Sequence, residues 1–150
     1  DEEYVKKPRK WDVESIKNFM IYLGPLSSVF DIICFAVLWW VIGANTFELS
    51  PVFQSGWFVF GTISQVLVIH MIRTRKLPFI QSKPAAPLLL STLIVTIIAL
   101  VIGFSDLAIG IDMMPLPKSF ALWLVVILSG YFLFTQLIKR FYIARYGEWL

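Results

Sequence analysis

Four long apolar runs mark this chain, at about 19–44, 56–72, 87–104 and 120–138. Short polar stretches at 45–55, 73–86 and 105–119 separate them, with a lead-in at 1–18 and a tail at 139–150. Each run approaches the roughly 20 residues that cross about 30 Å of hydrocarbon at about 1.5 Å per residue. The second and third are slightly short, a mismatch that local thinning or flanking residues absorb. In lipid every backbone polar group has to be paired within its own segment, which leaves helix as the workable form. None of the runs alternates with the period of 2 that a membrane barrel strand needs. The pattern predicts an all-α membrane protein of four transmembrane helices.

Composition supports this. Hydrophobic residues make up 58% of the chain and charged residues 15%, with a mean hydropathy of +0.77. A soluble domain carries about 25% charged residues. The placement of charge says more than its sum. Lys6, Lys7, Arg9, Lys10 and Lys17 precede the first run, Arg73, Arg75, Lys76 and Lys83 fill the middle connection, and Lys139, Arg140 and Arg145 follow the fourth run. Twelve of the 13 basic residues thus fall on one side and Lys118 alone on the other. Basic flanks stay cytoplasmic, so both termini are expected there. Trp39, Trp40, Trp57 and Trp123 near the outer ends, and Trp11, Tyr22, Phe79 and Tyr142 near the inner ends, fit interfacial aromatic belts. The basic side also suits anionic lipid headgroups, at about 1 kcal/mol per well-placed charge.

Most forms of chemistry are missing. Cys34 is the one cysteine and lies in an apolar run, where it reads as a small hydrophobe. His70 is the one histidine and has no companion for a zinc site. No phosphate-binding glycine loop, nucleophile elbow or metal-ligand cluster is present, no connection can hold a folded active site, and no nucleic-acid partner is expected. The chain by itself is not expected to be an enzyme. It begins at Asp1 without an initiator methionine, which suggests a piece of something longer.

Two polar positions stand out within the runs. Asp31 is an acid near the middle of the first, sharing a helical face with Gly24, Ser27 and Ser28, just after a Gly24-Pro25 pair that predicts a kink. An intramembrane carboxylate is costly unless paired or protonated, so it should point into protein. It is either a cation ligand or proton relay, or a structural group hydrogen-bonded to a neighbour. Gln65 shares a face of the second run with Gly61 and Ser64. Its oxygen suits Mg²⁺ or Ca²⁺, and equally suits the hydrogen bonding that joins helices in lipid. Asp31 and Gln65 are the candidate metal ligands. Thr92, Thr96, Ala99 and Gly103 form a small-residue packing stripe on the third run, and Ser129 and Gln136 a weaker one on the fourth. Gly147 is the expected stop of the fourth helix, and the segment before the first run, with Ile16, is an interfacial approach.

Long motifs add a resemblance. The run from Phe19 through Leu23-Gly24-Pro25-Leu26-Ser27-Ser28-Val29-Phe30-Asp31-Ile32 resembles the seventh transmembrane helix of bacterial magnesium-transporting P-type ATPases. Gln54-Ser55-Gly56-Trp57-Phe58-Val59 resembles the start of their eighth. The stretch from Ser64-Gln65 through His70-Met71-Ile72-Arg73-Thr74-Arg75-Lys76 and Pro78-Phe79-Ile80-Gln81-Ser82 is the most specific likeness. Thr135-Gln136-Leu137-Ile138-Lys139-Arg140-Phe141-Tyr142-Ile143 resembles the end of the tenth, and the opening Asp1-Glu2-Glu3 with Lys6-Lys7-Pro8-Arg9 and Trp11 the link after the sixth.

The resemblance implies the C-terminal membrane support of a pump that takes Mg²⁺ into the cytoplasm across the bacterial inner membrane. ATP drives such pumps through an aspartyl-phosphate, on domains that lie outside these residues. The remaining helices and cytoplasmic domains of the parent are then the expected partners. The helices that supply most of the cation site in related pumps are also outside this sequence. The eighth helix contributes an acid in the calcium-pump relatives, where this sequence has Gln65. The alternatives are a pump for Ca²⁺ or another divalent cation, and a self-standing four-helix adaptor or channel. An initiator methionine just before Asp1, with no ATPase upstream, would favour the last.

Overall fold

The computed structural model describes residues 13–147, the side chains of residues 14 and 15 excepted. The expectations for Trp11 and for the basic residues at 6–10 lie outside the described residues. Among the described residues, four helices are long and apolar enough to cross a membrane. They are α1 (Val13–Ala36), α2 (Ser50–Ile72), α3 (Ala86–Phe104) and α4 (Lys118–Tyr146). Here α2 contacts each of the other three, α4 also packs on α1, and α3 leans chiefly on α2.

Local chemistry sets the ends. Pro25 sits inside α1 and has no N–H to offer the carbonyl of Ile21, so that helix is weakest there. Past Ala36 the helix widens into a π turn, Val37–Val41, where Ile42 N–H donates to the Val37 carbonyl at 2.9 Å. Gly43, at φ +78°, then ends it, and Ala44 N–H turns back to the Leu38 carbonyl at 2.9 Å. A 3-10 turn, Phe47–Leu49, leads into α2, which starts at Ser50 with Pro51 in its first turn. Its helix therefore begins six residues before the apolar run at 56. Proline is preorganised for that position, and helix geometry continues beyond the hydrocarbon where hydropathy no longer reports it. Pro87 plays the same part at α3. Gly147, at φ +76°, closes α4 with its N–H on the Ile143 carbonyl at 2.8 Å, as its position in the sequence leads one to expect.

The connections are tied down on both sides. Met114 N–H reaches the Pro51 carbonyl at 3.4 Å, Ser55 Oγ lies 2.6 Å from the Met114 carbonyl, and Leu116 N–H donates to Gly103 at 2.8 Å. At the other end, Leu77–Ser82 folds into a tight turn with Phe79 in the left-handed region at φ 68°. Arg73 Nη2 donates to the Ser82 carbonyl at 3.1 Å across that turn.

The buried core lies between α1, α2 and α4, with Phe30, Leu38, Phe60, Phe120 and Leu124 at its centre and Cys34 enclosed. The small-residue stripe of α3 is the face set on α2: Thr92, Ala99 and Gly103 are buried, and Val59 occupies the space that a Cβ on Gly103 would need. Much of the rest of α3 is exposed, including Leu90, Leu93, Ile97 and Ile98. In lipid such a surface is solvated by acyl chains and needs no protein cover. On α4, Gln136 is buried while Ser129 is exposed, so that pair does not form one packed stripe.

Candidate functional site

Helical spacing puts Ser27 and Asp31 on one side of α1, and Trp57, Gly61, Ser64, Gln65 and Val68 on one side of α2. The two faces meet. With Phe30, Phe60, Ile69 and Tyr131 they enclose an open cleft of about 440 Å³ between α1, α2 and α4. Both residues singled out as metal candidates, Asp31 and Gln65, line it.

The cleft wall is ordered from the α4 side. Ser27 Oγ and the Tyr131 hydroxyl are 2.7 Å apart, joining α1 to α4, and the Tyr131 ring packs on Phe30 with centroids 5.3 Å apart. Ser64 Oγ donates to the Gly61 carbonyl at 3.0 Å, so its proton is spent within its own helix. Asp31 and Gln65 make no side-chain hydrogen bond among the described residues. The cleft thus offers one carboxylate, one amide and hydroxyl oxygens set in a wall of aromatic and aliphatic groups. No group of three or more His, Cys, Asp or Glu that could hold a metal occurs among the described residues.

A second polar cluster sits at the inner ends of α2 and α4. Lys139 is only 2% exposed, and its Nζ donates to the carbonyls of Met71 at 2.8 Å and Lys76 at 3.2 Å. It therefore closes the C-terminal end of α2, where free carbonyls and the helix dipole favour a cation. His70 Nε2 lies 3.0 Å from Thr92 Oγ1. Since Thr92 Oγ1 is itself 2.8 Å from the Leu88 carbonyl, the threonine donates there and accepts from the imidazole. His70 is thus a hydrogen-bonded core residue joining α2 to α3, also stacked near Phe79 at 4.7 Å between centroids.

Sequence reasoning placed Asp31 and Gln65 on helix faces but did not pair those faces. It missed Tyr131, whose phenol in an apolar run was a signal, since a buried hydroxyl needs a partner. It read Lys139 only as a flanking charge, and nothing local distinguishes it from Arg140.

Four long apolar helices, three of which line a cleft carrying one carboxylate, define a polytopic helical membrane domain. The chain belongs to the cation-transporting ATPase family: residues 1–141 match the family described as "Cation transporting ATPase, C-terminus". It is 50% identical over 147 residues to "Magnesium-transporting ATPase, P-type 1" of Salmonella typhimurium (strain 14028s / SGSC 2262), which covers 98% of this chain and 16% of that protein. The protein of the same name in Escherichia coli (strain K12) is likewise 50% identical over 147 residues, with the same coverage. The chain therefore spans about 16% of the length of these curated relatives.

Proposed function

We propose that this chain is the C-terminal membrane domain of an ATP-driven Mg²⁺ importer of the bacterial inner membrane, bracing the helices through which the ion moves. The observation that carries this reading is 50% identity, sustained over 98% of the chain, to magnesium-transporting ATPases. ATP hydrolysis and the ion path belong to the rest of the pump, whose helices and cytoplasmic domains are this domain's partners.

Both ends lie in the cytoplasm. Lys17, Arg73, Arg75, Lys76, Lys83, Lys139, Arg140 and Arg145 flank one end of the bundle and Lys118 the other, a charge bias that orients membrane helices. The cytoplasmic basic residues also meet anionic lipid headgroups.

A bracing role accords with the cleft's chemistry. Mg²⁺ is bound through carboxylates and retained waters, and the cleft supplies Asp31 as its one acid, with Gln65 as a neutral oxygen donor. The test is growth. The intact protein, expressed in a bacterial strain lacking its own Mg²⁺ uptake systems, should restore growth at low Mg²⁺. Failure at normal membrane abundance would remove the magnesium assignment.

A further inference from the structure

The 3-10 turn Asp106–Ile111, between α3 and α4, is built inside out. Its small Ala108 is fully buried, while Leu107 and Ile109 on either side of it are 62% and 61% exposed. Ile111 is exposed as well. In the connection between α1 and α2, Phe47 of the turn Phe47–Leu49 is 96% exposed. A turn that lies in water keeps its large apolar side chains inside, and neighbouring exposed ones mark a surface that meets something else.

The shape is held by the backbone rather than by those side chains. Ser105 Oγ accepts from the Leu107 N–H at 3.4 Å, and Met113 N–H donates to the Ala108 carbonyl at 3.0 Å. The segment is then pinned to the helix ends. Met114 N–H reaches the Pro51 carbonyl in the first turn of α2, and Leu116 N–H donates to the Gly103 carbonyl in the last turn of α3. Leu107 and Ile109 are therefore carried at a fixed height on the bundle.

That height follows from the length of α3. Its 19 residues reach roughly 28 Å at about 1.5 Å per residue, just under the roughly 30 Å of hydrocarbon. Any tilt shortens the reach further. The residues that follow Phe104 thus meet the boundary between acyl chains and headgroups before they meet open water. Ile98 and Val101 of α3 are exposed in the same way as Leu107, which follows after a bend at Ser105. One medium accounts for both. Beside the apolar residues, Glu48, Asp106 and Asp112 are exposed carboxylates, which suit the ammonium groups of zwitterionic headgroups. Trp40, also exposed at this end, is the residue type that settles at that boundary.

We propose that these two connections bind the membrane itself. Phe47, Leu107, Ile109 and Ile111 insert at the acyl–headgroup boundary of a zwitterionic phospholipid leaflet, with Glu48, Asp106 and Asp112 among its headgroups. Together they form an interfacial collar that completes the short span of α3 and sets the depth of the bundle. The collar concerns the fit of the domain to lipid and stands whichever ion the pump moves.

The experiment reads depth with a nitroxide spin label on Ile109→Cys or Phe47→Cys. The full-length protein carries Cys34→Ala and is reconstituted in vesicles of phosphatidylethanolamine and phosphatidylcholine. Labels on Val95→Cys, mid-way along the exposed face of α3, and on Lys83→Cys, in the basic turn, serve as lipid and water references. Oxygen concentrates in lipid and a nickel chelate in water, so the ratio of their collision rates with the label reports immersion. The expected ratio at 109 and 47 is several-fold above that at 83 and below that at 95, a depth of about 5–10 Å. A ratio equal to that at 83 would put the connections in water and overturn the proposal. Weak collision with both reagents would show protein over them, a second copy or another segment, and overturn it equally. Leu107→Cys gives an independent reading should Ile109→Cys fail to reach the membrane.

Discussion

Lys139 of α4 donates from Nζ to the main-chain carbonyl of Met71 at 2.8 Å, so the last turn of α2 is closed by a side chain from another helix. Replacing it takes a charged donor away from the carbonyls of Met71 and Lys76. A hydrogen bond to a charged group contributes about 1.5–3 kcal/mol, and a buried acceptor left unmade costs comparably. Lys139→Met in the intact protein should therefore lower the unfolding temperature in detergent by several degrees. Arg140→Met, at an exposed position one residue on, should leave it nearly unchanged. Equal effects would show that the burial of Lys139 does not matter.

The seat of Gly103 against Val59 gives a test with a built-in rescue. Valine in a helix holds essentially one χ1 rotamer and cannot swing aside. Gly103→Ala should then destabilise by about 1–3 kcal/mol through overpacking. Val59→Ala makes room for the added methyl, so in a double-mutant cycle the pair should be less damaging than the sum of the two. Strict additivity would mean that the two residues do not touch.

Tyr131 contributes a hydroxyl and a ring, and the two are separable. Tyr131→Phe removes only the bond to Ser27, and interhelical hydrogen bonds in membranes average about 0.6 kcal/mol. Tyr131→Ala also removes the ring packed on Phe30, a loss of about 3–5 kcal/mol for a buried aromatic. Thermal unfolding of both variants should show a small shift for the first and a large one for the second.

For Asp31 and Gln65 the account predicts retained transport. Asp31→Asn keeps a hydrogen-bonding group in the cleft and should leave Mg²⁺ uptake and its Mg²⁺ dependence close to normal. Gln65→Ala should not raise the Mg²⁺ requirement. A variant of either residue that is present at normal levels but needs much more Mg²⁺ would make it an ion ligand.

How far the sequence reads into the structure depends on the range of each force. The four helices are legible because lipid leaves the backbone no other way to pair its polar groups. The stop at Gly147 is legible because a positive φ favours glycine locally. The start of α2 at Ser50 is not, because Gln54 and Ser55 interrupt the apolar run while the helix passes through them. Asp31 and Gln65 announce themselves as polar groups in apolar runs, but their meeting depends on α1 lying beside α2, which no local pattern encodes. Lys139 and Arg140 are neighbours of similar charge, and only the packing of α4 on α2 decides which of them is buried.

The most direct measurement of the central claim is ion uptake by the intact protein reconstituted in proteoliposomes, with ATP supplied on the side that holds the cytoplasmic domains. The account predicts ATP-dependent movement of Mg²⁺ toward that same side, abolished when ATP is omitted and not replaced by Ca²⁺ movement. ATP-dependent transport of Ca²⁺ without Mg²⁺, or no ATP-driven transport from a folded, correctly inserted protein, would contradict it.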